Sequence, residues 1–148
     1  MGPGGKARWT VKDCFGCGSE NEFGLQLRPR VDSDGLVRAD VVGKPFHRGY
    51  TKLLHGGVIT AAMDEVLAYA VSQRAGAHPF VTTSIEVRFK RPAYIGARLV
   101  AEARCTAKRG ERFVARGWLR DEGGKVLSEA TGRFVILPER LREKFLAR

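Results

Sequence analysis

Two periods divide the chain. From Gly24 to Asp40, "GLQLRPRVDSDGLVRAD", two short runs of alternating apolar and polar residues flank the turn-forming "DSDG", which predicts a hairpin. An irregular loop, "GKPFHRGYTKL", separates it from "GGVITAAMDEVLAYAVSQRAG". There the spacing becomes helical: helix formers fill most positions, a Gly pair stands at the start and "RAG" supplies a stop. Apolar residues lie almost all round this helix, so it is expected to be buried and not merely docked on a surface.

Period two then returns. In "VTTSIEVRFKRP", Ile85, Val87 and Phe89 alternate with Ser84, Glu86, Arg88 and Lys90, and Pro92 closes the segment. Ala97 to Ala107 alternates in the same way up to the turn "KRGE", and Phe113, Ala115, Gly117 and Leu119 continue to a second turn, "DEGG". Val126 to Ile136 forms the last strand, and "PERLREKFLAR" predicts a short terminal helix with Pro138 at its first turn. The expected architecture is α+β: strands, one long central helix, then a meander of four strands, with a curved antiparallel sheet wrapped around the helix. The sheet's other face is expected to be partly polar or covered by a second subunit, and its open edges suit pairing across a two-fold axis.

A length of 148 residues fits one compact domain spanning 1–148, with "MGPGGKAR" marking residues 1–12 as a flexible leader. No export leader or membrane span is apparent, and three cysteines in such a chain suit a reducing, cytoplasmic compartment better than a disulfide framework. Lys and Arg outnumber Asp and Glu by 26 to 16, a formal charge of +10, which predicts an anionic partner: nucleic acid, acidic lipid or a phosphorylated small molecule. The basic residues are spread through the alternating segments, which favours a folded surface over a basic arm.

Chemistry concentrates in "LLHGGVITAAMDEVLAYA", Leu53 to Ala70. Gly56 and Gly57 either allow a tight turn into the helix or present free N–H donors to a carbonyl or oxyanion. Asp64, bounded by Ala61, Met63, Leu67 and Ala68, would be costly to desolvate; a buried ion pair, a wet interface or a catalytic role would each account for it. Asp64 and Glu65 point about 100° apart around a helix, so they serve different targets. Cys14 and Cys17 form a lone CxxC without a second metal-binding pair, so no metal site is expected and they read as packing residues in an N-terminal turn.

"HGGVITAAMDE" followed by "FKRPAYIG", with the opening "CFGCGSENEFGLQLR", resembles the hotdog-fold acyl-CoA thioesterases, in particular the branch of phenylacetate-pathway thioesterases and human thioesterase superfamily members. The likeness runs from Cys14 to Ile136. It implies hydrolysis of an acyl-CoA to a free acid and CoA, with no cofactor, since coenzyme A belongs to the substrate. It also implies a homodimer, assembled further into a homotetramer as a dimer of dimers. By position, Gly56 would polarise the thioester carbonyl, with His55 shaping the turn and Gly57 beside the substrate. Asp64 would act as general base or nucleophile toward a thioester held at the other subunit. Thr82, ten residues before Pro92, would help hold the water, with Thr83 the alternative if a bulge shifts the register. Lys90, Arg91, Lys108 and Arg109 would meet the CoA phosphates, with Arg88 and Arg112 as weaker additions, and Met63, Leu67, Tyr69 and Phe80 would set pocket depth.

One position departs from the pattern. Several relatives carry Asn or Gln six residues before the HGG histidine; here that residue is Gly49, so another group such as His47 or Tyr50 would have to substitute, or the arrangement differs. The rival to an enzyme is a hotdog module that binds acyl-CoA without turnover, but no helix-turn-helix accompanies it. A hydratase lacks its Asp and His pair. Nucleic-acid binding ranks last, because the aromatics fall mainly on the apolar phase, and neither nucleic acid nor membrane is expected as a partner.

Overall fold

The computed structural model describes residues 11–146. Most of the expected leader, 1–10, lies outside the described residues, while Lys12 already belongs to the folded part, its carbonyl accepting from Glu20 N–H (2.9 Å). Six antiparallel strands form one sheet: β1 (Arg30–Val31), β2 (Val37–Val42), β3 (Phe80–Phe89), β4 (Arg98–Arg109), β5 (Arg112–Arg120) and β6 (Val126–Ile136). The long helix α1 (Gly56–Ala75) lies between β2 and β3 in the chain, and the predicted terminal helix is α2 (Glu139–Leu146).

Strand order in space is β1-β2-β4-β5-β6-β3. This corrects the four-strand meander: only β4, β5 and β6 follow one another, because α1 crosses the sheet and sends β3 to the far edge beside β6. The hairpin at "DSDG" forms, closed by Gly35 with φ 77°, but β1 is only two residues long.

α1 begins where His55 Nδ1 accepts from Gly57 N–H (2.8 Å) and ends at Gly76, whose φ of 65° needs no Cβ and whose N–H donates to Ser72 O. Ile59, Ala62, Met63, Val66, Leu67, Ala70 and Val71 form its buried stripe, at helical spacing. Opposite them the sheet is deliberately small in the middle: Ala103 pairs with Gly117, Gly117 with Ala130, and Ala115 with Gly132. A Cβ on Gly117 would sit 2.9 Å from Met63 Cε, so glycine lets the helix settle into the concave face. Phe113, Leu119 and Phe134 close the groove at its ends. The helix is not buried all round, however. Val58, Ala61, Asp64, Ala68 and Tyr69 are only half-buried, which is the difference from the sequence expectation.

The convex face carries charge instead. Glu102 accepts from both Arg38 (3.1 Å) and Arg120 (2.8 Å), while Glu129 accepts from Lys90 (2.7 Å). No helix among the described residues is long and apolar enough to cross a membrane.

Candidate active site

Asp64 meets Thr82 where α1 passes the inner side of β3. The Thr82 hydroxyl donates to Asp64 Oδ1 at 2.9 Å. A bulge makes this possible. Thr82 pairs with Phe134 and Ser84 with Arg133, leaving Thr83 as the extra residue, its hydroxyl donating to the Arg133 carbonyl (3.1 Å). Before the bulge, Phe80 and Thr82 face the helix; after it, Ile85, Val87 and Phe89 do. Strict alternation would have turned Glu86 and Arg88 inward. Burial pushes the Asp64 carboxyl above the usual carboxylate range, and the Thr82 hydroxyl pulls it part of the way back. Asp64 makes no ion pair among the described residues.

At the helix start the two glycines differ. Gly57 N–H is taken by His55, whereas no partner occupies the Gly56 N–H among the described residues. That donor lies at the positive end of α1, and Phe89 stands over it, 3.5 Å from where a Gly56 Cβ would be. Gly56 and Asp64 are eight residues apart, about 12 Å along the axis, too far to act on one carbonyl within a single chain.

The two expected substitutes for the residue missing at Gly49 are placed differently. The His47 ring is buried, with Nδ1 accepting from Lys44 N–H (3.2 Å) and Nε2 donating to the Phe23 carbonyl (2.7 Å). Tyr50 is 83% exposed. Gly49 itself packs against the His55 ring, 3.4 Å from its Cδ2 to a notional Cβ. Met63 and Leu67 also depart from expectation, being core residues against Gly117 and Gly132 and not pocket walls, while Tyr69 and Phe80 stay half-buried.

The four basic candidates do not gather in one chain. Lys90 and Arg91 follow β3 beside Leu127, near the start of α1, with Arg91 Nη1 donating to Val126 O (2.8 Å). Lys108 and Arg109 lie at the β4–β5 hairpin, where Lys108 Nζ reaches the Arg74 carbonyl (3.4 Å) at the other end of the helix. β6 separates the two ends by about 25 Å. At the hairpin end a cavity of about 550 Å³ is lined by Thr83, Arg109, Arg112, Phe113, Arg133 and Phe134. Arg133 escaped the sequence reading; its signal is a polar-phase position on the last strand that register brings opposite Val114, beside the basic turn.

Glu65 leaves the other side of the helix. The N-terminal turn covers it, with Cys14 Sγ, Cys17 Sγ and a Glu65 carboxylate oxygen all within 4.8 Å of one another. Burial raises the Glu65 carboxyl, opposed by the neighbouring Cys17 thiol, and burial followed by the Glu65 charge holds that thiol well above its usual range.

Residues 51–128 match the sequence profile of the Thioesterase superfamily. The chain belongs to that superfamily. A thioesterase superfamily protein of known crystal structure is 26% identical with a TM-score of 0.74, the match covering 84% of this chain and 60% of that one. The present superfamily member thus spans 60% of that relative's length. A Bacillus halodurans protein crystallised with CoA aligns at 21% identity and TM-score 0.71, over 78% of this chain and 77% of that one. The PaaI protein from the phenylacetic acid degradation operon of E. coli aligns at 16% and 0.67, over 77% and 81%. These two likenesses concern the fold, which is the hotdog arrangement of a curved sheet and a central helix. No curated protein matches this superfamily member.

Proposed function

We propose that this superfamily member is an acyl-CoA thioesterase whose site is shared between two copies of the chain. The observation that carries the reading is the half-buried Asp64 carboxylate, without a cation and held by the Thr82 hydroxyl, beside an open strand edge. Among the described residues β3 pairs only with β6, and Val81 and Phe89 are exposed along it. An antiparallel β3–β3 pairing centred between Ile85 and Glu86 would set Phe89, and Gly56 beneath it, against Thr82 and Asp64 of the partner subunit.

In that arrangement the Gly56 N–H polarises the thioester carbonyl. Asp64 either takes a proton from an attacking water or attacks the carbonyl carbon itself. The tetrahedral intermediate collapses by breaking the C–S bond, and CoA leaves as the thiolate and is protonated; attack by water leaves the free acid directly, whereas attack by Asp64 leaves an acyl–Asp64 anhydride that a water then hydrolyses to the free acid and the restored carboxylate. Lys90 and Arg91 of one chain would then share the CoA phosphates with Lys108 and Arg109 of the partner, the cavity with Arg112 and Arg133 adding further donors. Gly57 and His55 shape the turn. The acyl group is not specified.

The test is thiol release from aliphatic and aryl acyl-CoAs by wild type, Asp64→Ala, Gly56→Pro and a mixture of the two variants. Proline is tolerated at the first helical position, where it removes the N–H and adds a ring whose Cβ lies in ordinary contact with Phe89, 3.5 Å away, so helix content should persist while activity falls roughly 10²–10³-fold. A reassembled mixture should recover up to about a quarter of wild-type activity, because half the dimers are mixed and each restores one of two sites. No recovery from a mixture shown to exchange subunits would sink the shared site; full activity in Asp64→Ala would sink the mechanism. Gly49 favours a second reading, a module that binds acyl-CoA without turnover, which tight binding with no thiol release would establish.

A further inference from the structure

The N-terminal segment is built more tightly than a connecting turn requires. Gly18 N–H donates to the Cys14 carbonyl (2.9 Å), closing "CFGCG" into a compact turn with both thiols directed toward α1. Each glycine there has a steric reason. A Cβ on Gly18 would collide with the Cys14 backbone, and one on Gly16 would collide with the Glu65 carboxylate. The returning chain is bonded to the turn through Leu25 N–H to Phe15 O (2.8 Å) and Leu27 N–H to Gly16 O (2.9 Å). Gln26 is held at φ 50°, its amide donating to Ser19 O and its side-chain oxygen accepting from Lys44 Nζ. So much local ordering is spent on bringing two thiols against one acid. That acid has no ion-pair partner among the described residues, in a chain with 26 Lys and Arg.

We propose that Cys14 Sγ, Cys17 Sγ and the Glu65 carboxylate bind a thiophilic divalent cation, zinc above all, with water as the fourth ligand. The donor set has the chemistry for it: two thiolates suit a borderline-soft ion, and a carboxylate oxygen is a common third ligand. A tetrahedral site with these ligands has donor–donor edges of about 3.5–3.8 Å, so separations within 4.8 Å need only side-chain rotation to close. Binding releases the two thiol protons to solvent, leaving two thiolates, one carboxylate and Zn²⁺ with a net charge of −1. The linear pattern concealed the site because a lone CxxC offers two ligands; folding supplies the third from mid-helix. The ion would pin the segment from Val11 to Arg28 onto α1, one residue from Asp64. This inference does not depend on the thioesterase reading.

The test uses the full chain, purified under a non-chelating reductant, loaded with zinc and dialysed against metal-free buffer. Elemental analysis should find one zinc per chain in wild type and none above background in the Cys14→Ser, Cys17→Ser double variant. Cobalt(II) should give thiolate-to-metal charge-transfer absorption, displaced by zinc. Glu65→Gln should weaken zinc retention by roughly 10–100-fold or more, since loss of even an outer-shell partner costs that much. Wild type holding no more zinc than the double serine variant would overturn the site, as would a cobalt spectrum without thiolate bands. Unchanged zinc affinity in Glu65→Gln would overturn the role of the acid.

Discussion

The two sides of α1 present adjacent acids to opposite kinds of surroundings. Asp64 faces the rim of the sheet, where among the described residues its partner is a hydroxyl and the edge of β3 is open. Glu65 faces a lid made by the N-terminal turn, where its neighbours are thiols and glycines. Burial raises both carboxyls, so desolvation alone does not distinguish them. What differs is what covers each of them. On the proposed function the rim accepts a second chain and a substrate, whereas the lidded side is covered by its own chain. Neighbouring acids on a helix therefore acquire separate roles from the elements that pass over them.

The largest effect expected from breaking this contrast is on activity. Asp64→Asn should lower thiol release by roughly 10²–10⁴-fold, the range for removing a general base, with little change in melting temperature. Glu65→Gln should show the reverse emphasis, with a lower melting temperature in the zinc-loaded protein and a much smaller loss of rate. Equal losses of rate from both would dissolve the distinction. Thr82→Val comes next: it removes a hydrogen bond to a charged group, about 1.5–3 kcal/mol, and so should cost about 10–100-fold in kcat, with KM nearly unchanged and Thr82→Ser restoring most of it. The smallest effect belongs to His55→Ala, which touches neither acid. Loss of its cap on Gly57 should cost about 1 kcal/mol of stability, read by thermal or denaturant unfolding.

Local signals carried much of this into the sequence. Helix α1 was legible because His55, the Gly pair and Gly76 delimit it, and β4, β5 and β6 because tight turns join them. Asp64 and Thr82 were reachable from motif spacing, and the structure brings them together. The place of β3 was not legible, since strand order after a helical crossover is decided by how α1 packs and not by any residue in β3. His47 misled for a related reason: a histidine near a motif looks chemical until its partners, Phe23 O from far along the chain and Lys44 N–H three residues back, are found to occupy both nitrogens. The split of Lys90 and Arg91 from Lys108 and Arg109 was hidden too, because distance along a strand is visible only once register is known.

The bulge at Thr83 behaves like a frameshift written into a strand. Upstream of it the even-numbered residues read inward, Phe80 and Thr82; downstream the odd-numbered ones do, Ile85, Val87 and Phe89. One strand can thus hold a hydroxyl against an acid and still lay an aromatic ring beside the helix start. Such a strand forgives many exchanges of one letter for another, but removing a single letter would rewrite everything after it.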